Sequence, residues 1–216
     1  SLSNRIMLLS MLAEGHTEIH NMLDSDDTRS MVEALKTLGV EVLENRNQNR
    51  ISVYGTSGTI PVTEATLMLG NAGTAIRPLT AALTIGKGRF VLDGVQRMRE
   101  RPIIDLVNGL KQLGAEVNCI NGTDSPPVEV IANGLPGGTT FLSGAISSQY
   151  LSAILMSAPY AKTEVQIEIT DKLVSVPYVE MTIELMQRFG VPVENDKFKH
   201  FHVPIMPYKS PGKIYV

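Results

Sequence analysis

Two glycines three residues apart, Gly70 and Gly73, open the stretch 70-GNAGTAIRPL-79, with Asn71 and Thr74 beside them. An apolar helical run holding an arginine and a proline follows. A helix start exposes unpaired N–H groups and the positive end of the helix dipole, so small polar residues there suit an anion. Asn and Thr are also ordinary N-cap residues. Taken alone, the stretch reads as a capped core helix.

The elements that would position these residues repeat three times. In 31-MVEALKTLGVEV-42, 106-LVNGLKQLGAEV-117 and 182-TIELMQRFGVPV-193, apolar residues mark one helical face and a glycine ends the helix. These glycines, Gly39, Gly114 and Gly190, lie 75 and 76 residues apart (114 − 39 and 190 − 114). A second, more apolar trio precedes them: 4-NRIMLLSMLAEG-15, 74-TAIRPLTAALTIG-86 and 149-QYLSAILMSAPYA-161, each followed by a strand-like run. The fold class predicted is α/β, one pseudo-threefold domain over 1–216. It contains three helix-strand-helix-strand-strand units, approximately 1–65, 66–139 and 140–216, with buried helices and sheets outside them. A further strand enters the second and third units, at 66-TLML-69 and 140-TFLSG-144. Its counterpart in the first unit is expected before Ser1. An open doubly wound sheet would show no threefold repeat and ranks lower.

The repeat places three small, polar loops at equivalent helix starts: 1-SLSNR-5, 70-GNAGT-74 and 146-ISSQ-149. Capping needs one polar residue per loop, and these offer two or more apiece, which tips the reading toward a shared anion site. In 97-RMRERP-102 three arginines alternate, so an extended segment would put them on one side. Arg97 and Arg99 read as solvated, and Arg101, beside the next helix start, as an anion clamp. In the third unit 175-SVPY-178 offers Ser175 and Tyr178 as hydroxyl donors, whereas 24-DSDD-27 reads as an acidic helix cap.

Composition limits the function classes. With 216 residues, 43% hydrophobic and 19% charged, the chain can bury a sizeable core. A net charge of −3 argues against binding nucleic acid by bulk charge, so anion binding must be local. No apolar run is long enough for a transmembrane helix, and the start lacks the features of a signal peptide. The lone Cys119 forms no intrachain disulfide. His200 and His202 in KHFHV share one strand face with no third ligand nearby and read as solvated.

SLSNR, LDSDD, GNAGTAIRPL, RMRERPI, ISSQYL and SVPYVEMT, in this order along the whole chain, resemble the 5-enolpyruvylshikimate-3-phosphate synthase (3-phosphoshikimate 1-carboxyvinyltransferase) family. The resemblance implies an enolpyruvyl transferase-like fold and one of two similar domains, with the active site in the cleft between them. It implies transfer of the enolpyruvyl group of phosphoenolpyruvate to the 5-hydroxyl of shikimate 3-phosphate, with no cofactor or metal and with glyphosate as inhibitor. Ser1, Arg5, Ser147, Ser148, Gln149, Ser175 and Tyr178 match positions that hold shikimate 3-phosphate. Gly73, Arg101 and Gln149 match positions facing phosphoenolpyruvate, with Asn71 and Thr74 lining that site. The chain starts just after the family's Gly-Ser-Lys, so no catalytic proton-transfer group is expected within it. By this resemblance it is inactive alone, working with a complementary domain and with neither nucleic acid nor membrane. The compartment expected is the cytoplasm, or a plastid if a transit peptide preceded Ser1. The related transferase acting on UDP-N-acetylglucosamine uses a loop cysteine in the second unit, and Cys119 sits instead in the strand-like 116-EVNCI-120. A rival from another class is a non-catalytic anion-binding module.

Overall fold

A computed structural model describes all residues, 1–216. Six helices and twelve strands alternate along it. The first unit runs α1 (Leu2–Leu12), β1 (His16–His20), α2 (Asp26–Thr37), β2 (Val42–Asn45) and β3 (Arg50–Tyr54). The second runs β4 (Glu64–Met68), α3 (Gly73–Leu83), β5 (Lys87–Asp93), α4 (Ile104–Gln112), β6 (Glu116–Cys119) and β7 (Val128–Asn133). The third runs β8 (Gly138–Leu142), α5 (Ser148–Ser157), β9 (Val165–Ile169), α6 (Val176–Arg188), β10 (Glu194–Asp196) and β11 (His200–Val203), and β12 (Lys213–Tyr215) ends the chain.

The strands form three four-stranded sheets, ordered β12-β1-β3-β2, β4-β5-β7-β6 and β8-β9-β11-β10. In each, the first two strands are parallel and the rest antiparallel. The place expected for a strand before Ser1 is held by β12, which pairs Glu18 with Lys213 and His20 with Tyr215. The last residues of the predicted third unit therefore belong to the first sheet.

The apolar trio lies inside. Every residue of α1 from Ser3 to Leu12 is buried, and α3 and α5 are buried except at a few polar positions near their starts. The other trio is amphipathic and buries one face, Met31, Val32 and Leu35 on α2 and Leu106, Val107 and Leu110 on α4. Each of these helices ends in the same way. Gly39, Gly114 and Gly190 have φ of +84°, +90° and +88°. The next residue's N–H reaches back to Leu35, Leu110 and Met186. This is the Schellman closure, in which a left-handed residue satisfies the last carbonyls. A side chain at these positions would carry left-handed strain, so glycine is what lets all three helices stop and turn into a strand.

Candidate active site

The three inner helices start at one end of the domain, and side chains join those starts. Asn4 of α1 donates from Nδ2 to Thr74 Oγ1 of α3 at 2.9 Å and to the Asp27 carbonyl of α2 at 3.3 Å. Thr74 Oγ1 in turn donates to Asp27 Oδ2 at 2.6 Å. Arg77, one turn into α3, donates from Nη1 to Gln149 Oε1 of α5 at 2.6 Å, with its guanidinium carbon 5.2 Å above the Tyr150 ring. A small cavity of about 20 Å³ lies between the three starts, lined by Ser1, Arg5, Thr74, Pro78, Gln149, Ser152 and Met156.

Capping does not account for these polar residues. The starts of α1 and α3 have no side-chain cap. Only Ser147, which accepts from the Gln149 N–H at 3.2 Å, caps its own helix. The first N–H groups of α1 and α3 are left without a side-chain acceptor, and the dipole there favours negative charge. Pro78 inside α3 also leaves the Thr74 carbonyl without its usual helical donor.

Above this cavity lies an open depression of about 380 Å³. Ser1, Arg5, Ser147, Ser148, Gln149, Ser175 and Tyr178 line it, together with Ile146 and Val174. The structure thus gathers on one surface the seven residues matched to shikimate 3-phosphate. Ser175 sits at the start of α6 with φ of +58°, a conformation that costs a non-glycine residue on the order of 1 kcal/mol and is found at functional sites. Arg5 is only 6% exposed. Its Nε has no partner, and Nη1 makes one long bond of 3.5 Å to the Ser1 carbonyl. Burial lowers its pKa, so the charge is held at a desolvation cost that no carboxylate offsets.

The residues matched to phosphoenolpyruvate divide. Arg101 donates from Nη1 to the Asn71 carbonyl at 2.8 Å and to Asn71 Oδ1 at 3.1 Å, and its guanidinium lies across Gly73. Asn71, Gly73 and Arg101 therefore form one cluster. Thr74 is turned the other way, because its hydroxyl both accepts from Asn4 and donates to Asp27 inside the domain. Gln149 lines both the cavity and the depression, with its carbonyl oxygen occupied by Arg77.

Two expectations about these loops change. Residues 98–100 form a turn of 3-10 helix, so the arginines of 97–101 do not share a side. Arg97 is exposed, but Arg99 pairs with Asp93 in two bonds and is not simply solvated. The stretch 24-DSDD-27 does cap α2, through Ser25 in a reciprocal box with Thr28 and with Asp26 and Asp27 in the first turn, and Asp27 is tied to Thr74 as well. Sequence reasoning also passed over Asn4 and Arg77. The available signal for Arg77 was a guanidinium in an otherwise apolar buried helix, a costly placement without a partner or a ligand.

Arg5, Arg77 and Arg101 make no ion pair with any carboxylate, whereas Arg29, Arg46, Arg50, Arg89 and Arg99 all do. The contrast is sharp in another cleft, of about 100 Å³ between α2 and β3, where Arg29, Arg46 and Arg50 line the wall. There each guanidinium already faces an acid: Asp24 and Asp26, Glu44, and Glu18 respectively. The other two unpaired arginines, Arg97 and Arg188, are exposed, so the unpaired guanidiniums held out of open solvent gather at the helix starts. Burial lowers the Arg77 pKa, and the nearby Arg101 charge adds to that.

Elsewhere, Cys119 ends β6 half-buried, and burial raises its thiol pKa, which disfavours a thiolate nucleophile. His200 and His202 lie on an outer sheet face beside glutamates. No group of three or more His, Cys, Asp or Glu side chains is placed to hold a metal. No helix is long and apolar enough to cross a membrane.

Fold and site together define a pseudo-threefold α/β domain with uncapped helix starts and unpaired guanidiniums gathered at one end of its inner helices. The family model for EPSP synthase (3-phosphoshikimate 1-carboxyvinyltransferase) matches residues 1–215, and the chain belongs to that family. It is 58% identical over 228 residues to the chloroplastic 3-phosphoshikimate 1-carboxyvinyltransferase of Petunia hybrida, covering all of this chain and 44% of that protein. It is 50% identical over 217 residues to the enzyme of that name from a Marinomonas species, covering 51% of it. The chain therefore spans about half the length of the relatives it matches. The fold is shared with the solved EPSP synthase from Acinetobacter baumannii, at a TM-score of 0.87 and 22% identity over all of this chain and 48% of that one.

Proposed function

We propose that this chain supplies one half of the active site of an enzyme that moves the enolpyruvyl group of phosphoenolpyruvate onto the 5-hydroxyl of shikimate 3-phosphate. The hydroxyl adds to the enol carbon, a tetrahedral intermediate forms, and its collapse releases phosphate. The observation that carries the reading is the set of three converging arginines, Arg5, Arg77 and Arg101, none paired with a carboxylate. Such cations suit two anionic substrates brought together in one place, and held donors stabilise charge as it develops.

In this reading the depression holds shikimate 3-phosphate through Arg5 and the hydroxyls of Ser147, Ser148, Ser175 and Tyr178, with Ser1 at its edge. Arg101, Asn71 and the Gly73 backbone face phosphoenolpyruvate, and Gln149 stands between the two. Glyphosate occupies the phosphoenolpyruvate side as an inhibitor. In this reading, which follows the family resemblance, the proton-transfer groups come from the complementary half, and Asp27, the carboxylate at the helix starts, is engaged by Thr74. Relatives described as chloroplastic, and bacterial relatives without that description, fit a plastid or cytoplasmic setting.

Since the chain spans about half of its relatives, a binding module without turnover is the second reading for the chain by itself. One experiment separates the two. Phosphate release from phosphoenolpyruvate and shikimate 3-phosphate is followed with the chain alone, the complementary half alone and the mixture. Turnover is expected only in the mixture. Turnover by the chain alone overturns the division of labour, and a silent mixture whose halves associate overturns the activity.

A further inference from the structure

Asp93, the last residue of β5, and Arg99 form a two-pronged ion pair beside the site. Arg99 donates from Nε to Asp93 Oδ1 at 3.0 Å and from Nη2 to Oδ2 at 2.6 Å, and the carboxylate side chain is only 11% exposed. Asp93 Oδ1 also accepts from the Gly94 N–H at 2.8 Å. Arg99 and that N–H hold the Asp93 carboxyl below its usual pKa range, so the pair is fully charged at neutral pH.

The pair sits where two loops run side by side. At their strand ends the backbones are stitched, Leu69 N–H to the Asp93 carbonyl at 2.8 Å and Val95 N–H to the Gly70 carbonyl at 3.0 Å. They approach so closely that a side chain at Gly94 would run into the Gly70 carbonyl oxygen and stand 2.8 Å from Met98 Cβ. At their far ends Arg101 bonds Asn71 twice. Between lies the turn at 98–100, anchored by buried Met98 and by Arg99. Beyond it, Tyr150 Oη donates to the Pro102 carbonyl at 2.6 Å. Arg101 thus lies within a segment braced on each side, and the Arg99 brace is the electrostatic one.

We propose that Asp93 and Arg99 are positioning residues for Arg101, fixing the turn so that its guanidinium lies across Gly73 on the phosphoenolpyruvate side of the site. The inference rests on the reading of Arg101 given under the proposed function. Neither residue touches the depression lined by Arg5 and Ser147, so the pair acts on one substrate and not the other. A purely structural pair would lower stability without that asymmetry.

The test uses the whole enzyme, this chain with its complementary half. Asp93→Asn keeps the side-chain shape and the acceptor for Gly94 but removes the charge that holds Arg99. The KM for phosphoenolpyruvate is expected to rise on the order of tenfold, as displacement of a substrate-positioning group does, with kcat and the shikimate 3-phosphate KM within about twofold. Arg99→Lys retains charge without the fork and is expected to fall between. Glu129→Gln breaks a comparable pair with Arg89 on the same sheet, and is expected to leave both KM values alone. An unchanged phosphoenolpyruvate KM in Asp93→Asn, or equal rises for both substrates, overturns the proposal. Should the unaltered enzyme turn over neither substrate, the functional reading fails separately. The Arg101 Nε–Hε resonance of the chain then decides: it shifts in Asp93→Asn if the pair positions Arg101, and an unmoved resonance overturns it.

Discussion

Arg101 lies across Gly73 so closely that a Cβ built on the glycine would stand 2.9 Å from the guanidinium carbon and 3.0 Å from Nη1. A methyl group there would press on the arginine first. Gly73→Ala is accordingly expected to weaken phosphoenolpyruvate by moving Arg101, and to weaken glyphosate more, because the longer inhibitor has less room to follow. Arg101→Ala alone is expected to cost on the order of 2–5 kcal/mol in phosphoenolpyruvate binding. Because the two residues touch, the double variant should lose less than the combined single losses. Strictly additive losses in KM measurements of the three variants would show that Gly73 acts independently of the arginine.

The Asn4–Thr74–Asp27 chain makes a second prediction. Asn4 is fully buried and Thr74 Oγ1 is both acceptor and donor, so removing that hydroxyl leaves one buried Asn4 N–H without an acceptor and takes a donor from the half-buried Asp27 carboxylate. Thr74→Val, which keeps the shape, is expected to destabilise the chain by about 1–3 kcal/mol. Thr74→Ser should restore most of it. Urea unfolding of the three forms checks this, and equal stability of the valine and serine variants would mean the hydroxyl carries no weight.

What could be read from the sequence followed from local rules, and what could not followed from distance. The three glycine-ended helices announce themselves because the Schellman closure needs a left-handed residue at a fixed offset from an apolar face. The convergence of Ser1, Arg5, Ser147 and Gln149 is legible because repeat position implies spatial equivalence. By contrast β12 pairs in parallel with β1 across nearly the whole chain, and its short strand has no pattern naming that partner. Arg99 reads as solvated because alternation assumes an extended backbone, whereas a 3-10 turn swings it onto Asp93. Thr74 and Asp27 look like separate helix-start residues until α2 and α3 are brought side by side.

The third prediction concerns pH. On the outer face of the third sheet, His202 Nε2 lies 2.9 Å from Glu164 and Nδ1 lies 3.4 Å from Glu194. The hydrogen bond to Glu164 is the main cause that raises its pKa, with both carboxylate charges adding to it. A group whose folded pKa exceeds its unfolded value stabilises the fold at low pH and loses that contribution as pH rises through the folded pKa. The chain is therefore expected to lose a small increment of stability above the ordinary histidine value of about 6.5. His202→Gln should flatten that segment of the curve of unfolding free energy against pH. A slope unchanged by the substitution would assign the dependence to other groups.

The last prediction sets stability against binding at Arg5. This guanidinium is 6% exposed, has an unpartnered Nε and faces no carboxylate. Its pKa is lowered by burial, so below that pKa the charged form is less favourable in the folded chain than in the unfolded one. The folded domain thus carries an uncompensated cation in its wall, a cost tolerated where function needs it. Arg5→Met fills a similar volume, removes the charge and leaves no buried donor without a partner. The variant is expected to unfold at higher urea, with a gain on the order of 1–3 kcal/mol, as replacements of buried charge by apolar side chains give. Its affinity for shikimate 3-phosphate should fall by at least tenfold, since a charge-assisted bond is worth roughly 1.5–3 kcal/mol. Arg5→Lys should keep part of the binding and part of the cost, because a point charge cannot reproduce the fork. Denaturation curves and ligand titrations on the same three proteins give both quantities. If methionine destabilises the domain, Arg5 holds the helix starts together; if it stabilises the domain and binding survives, the depression is not the anion site.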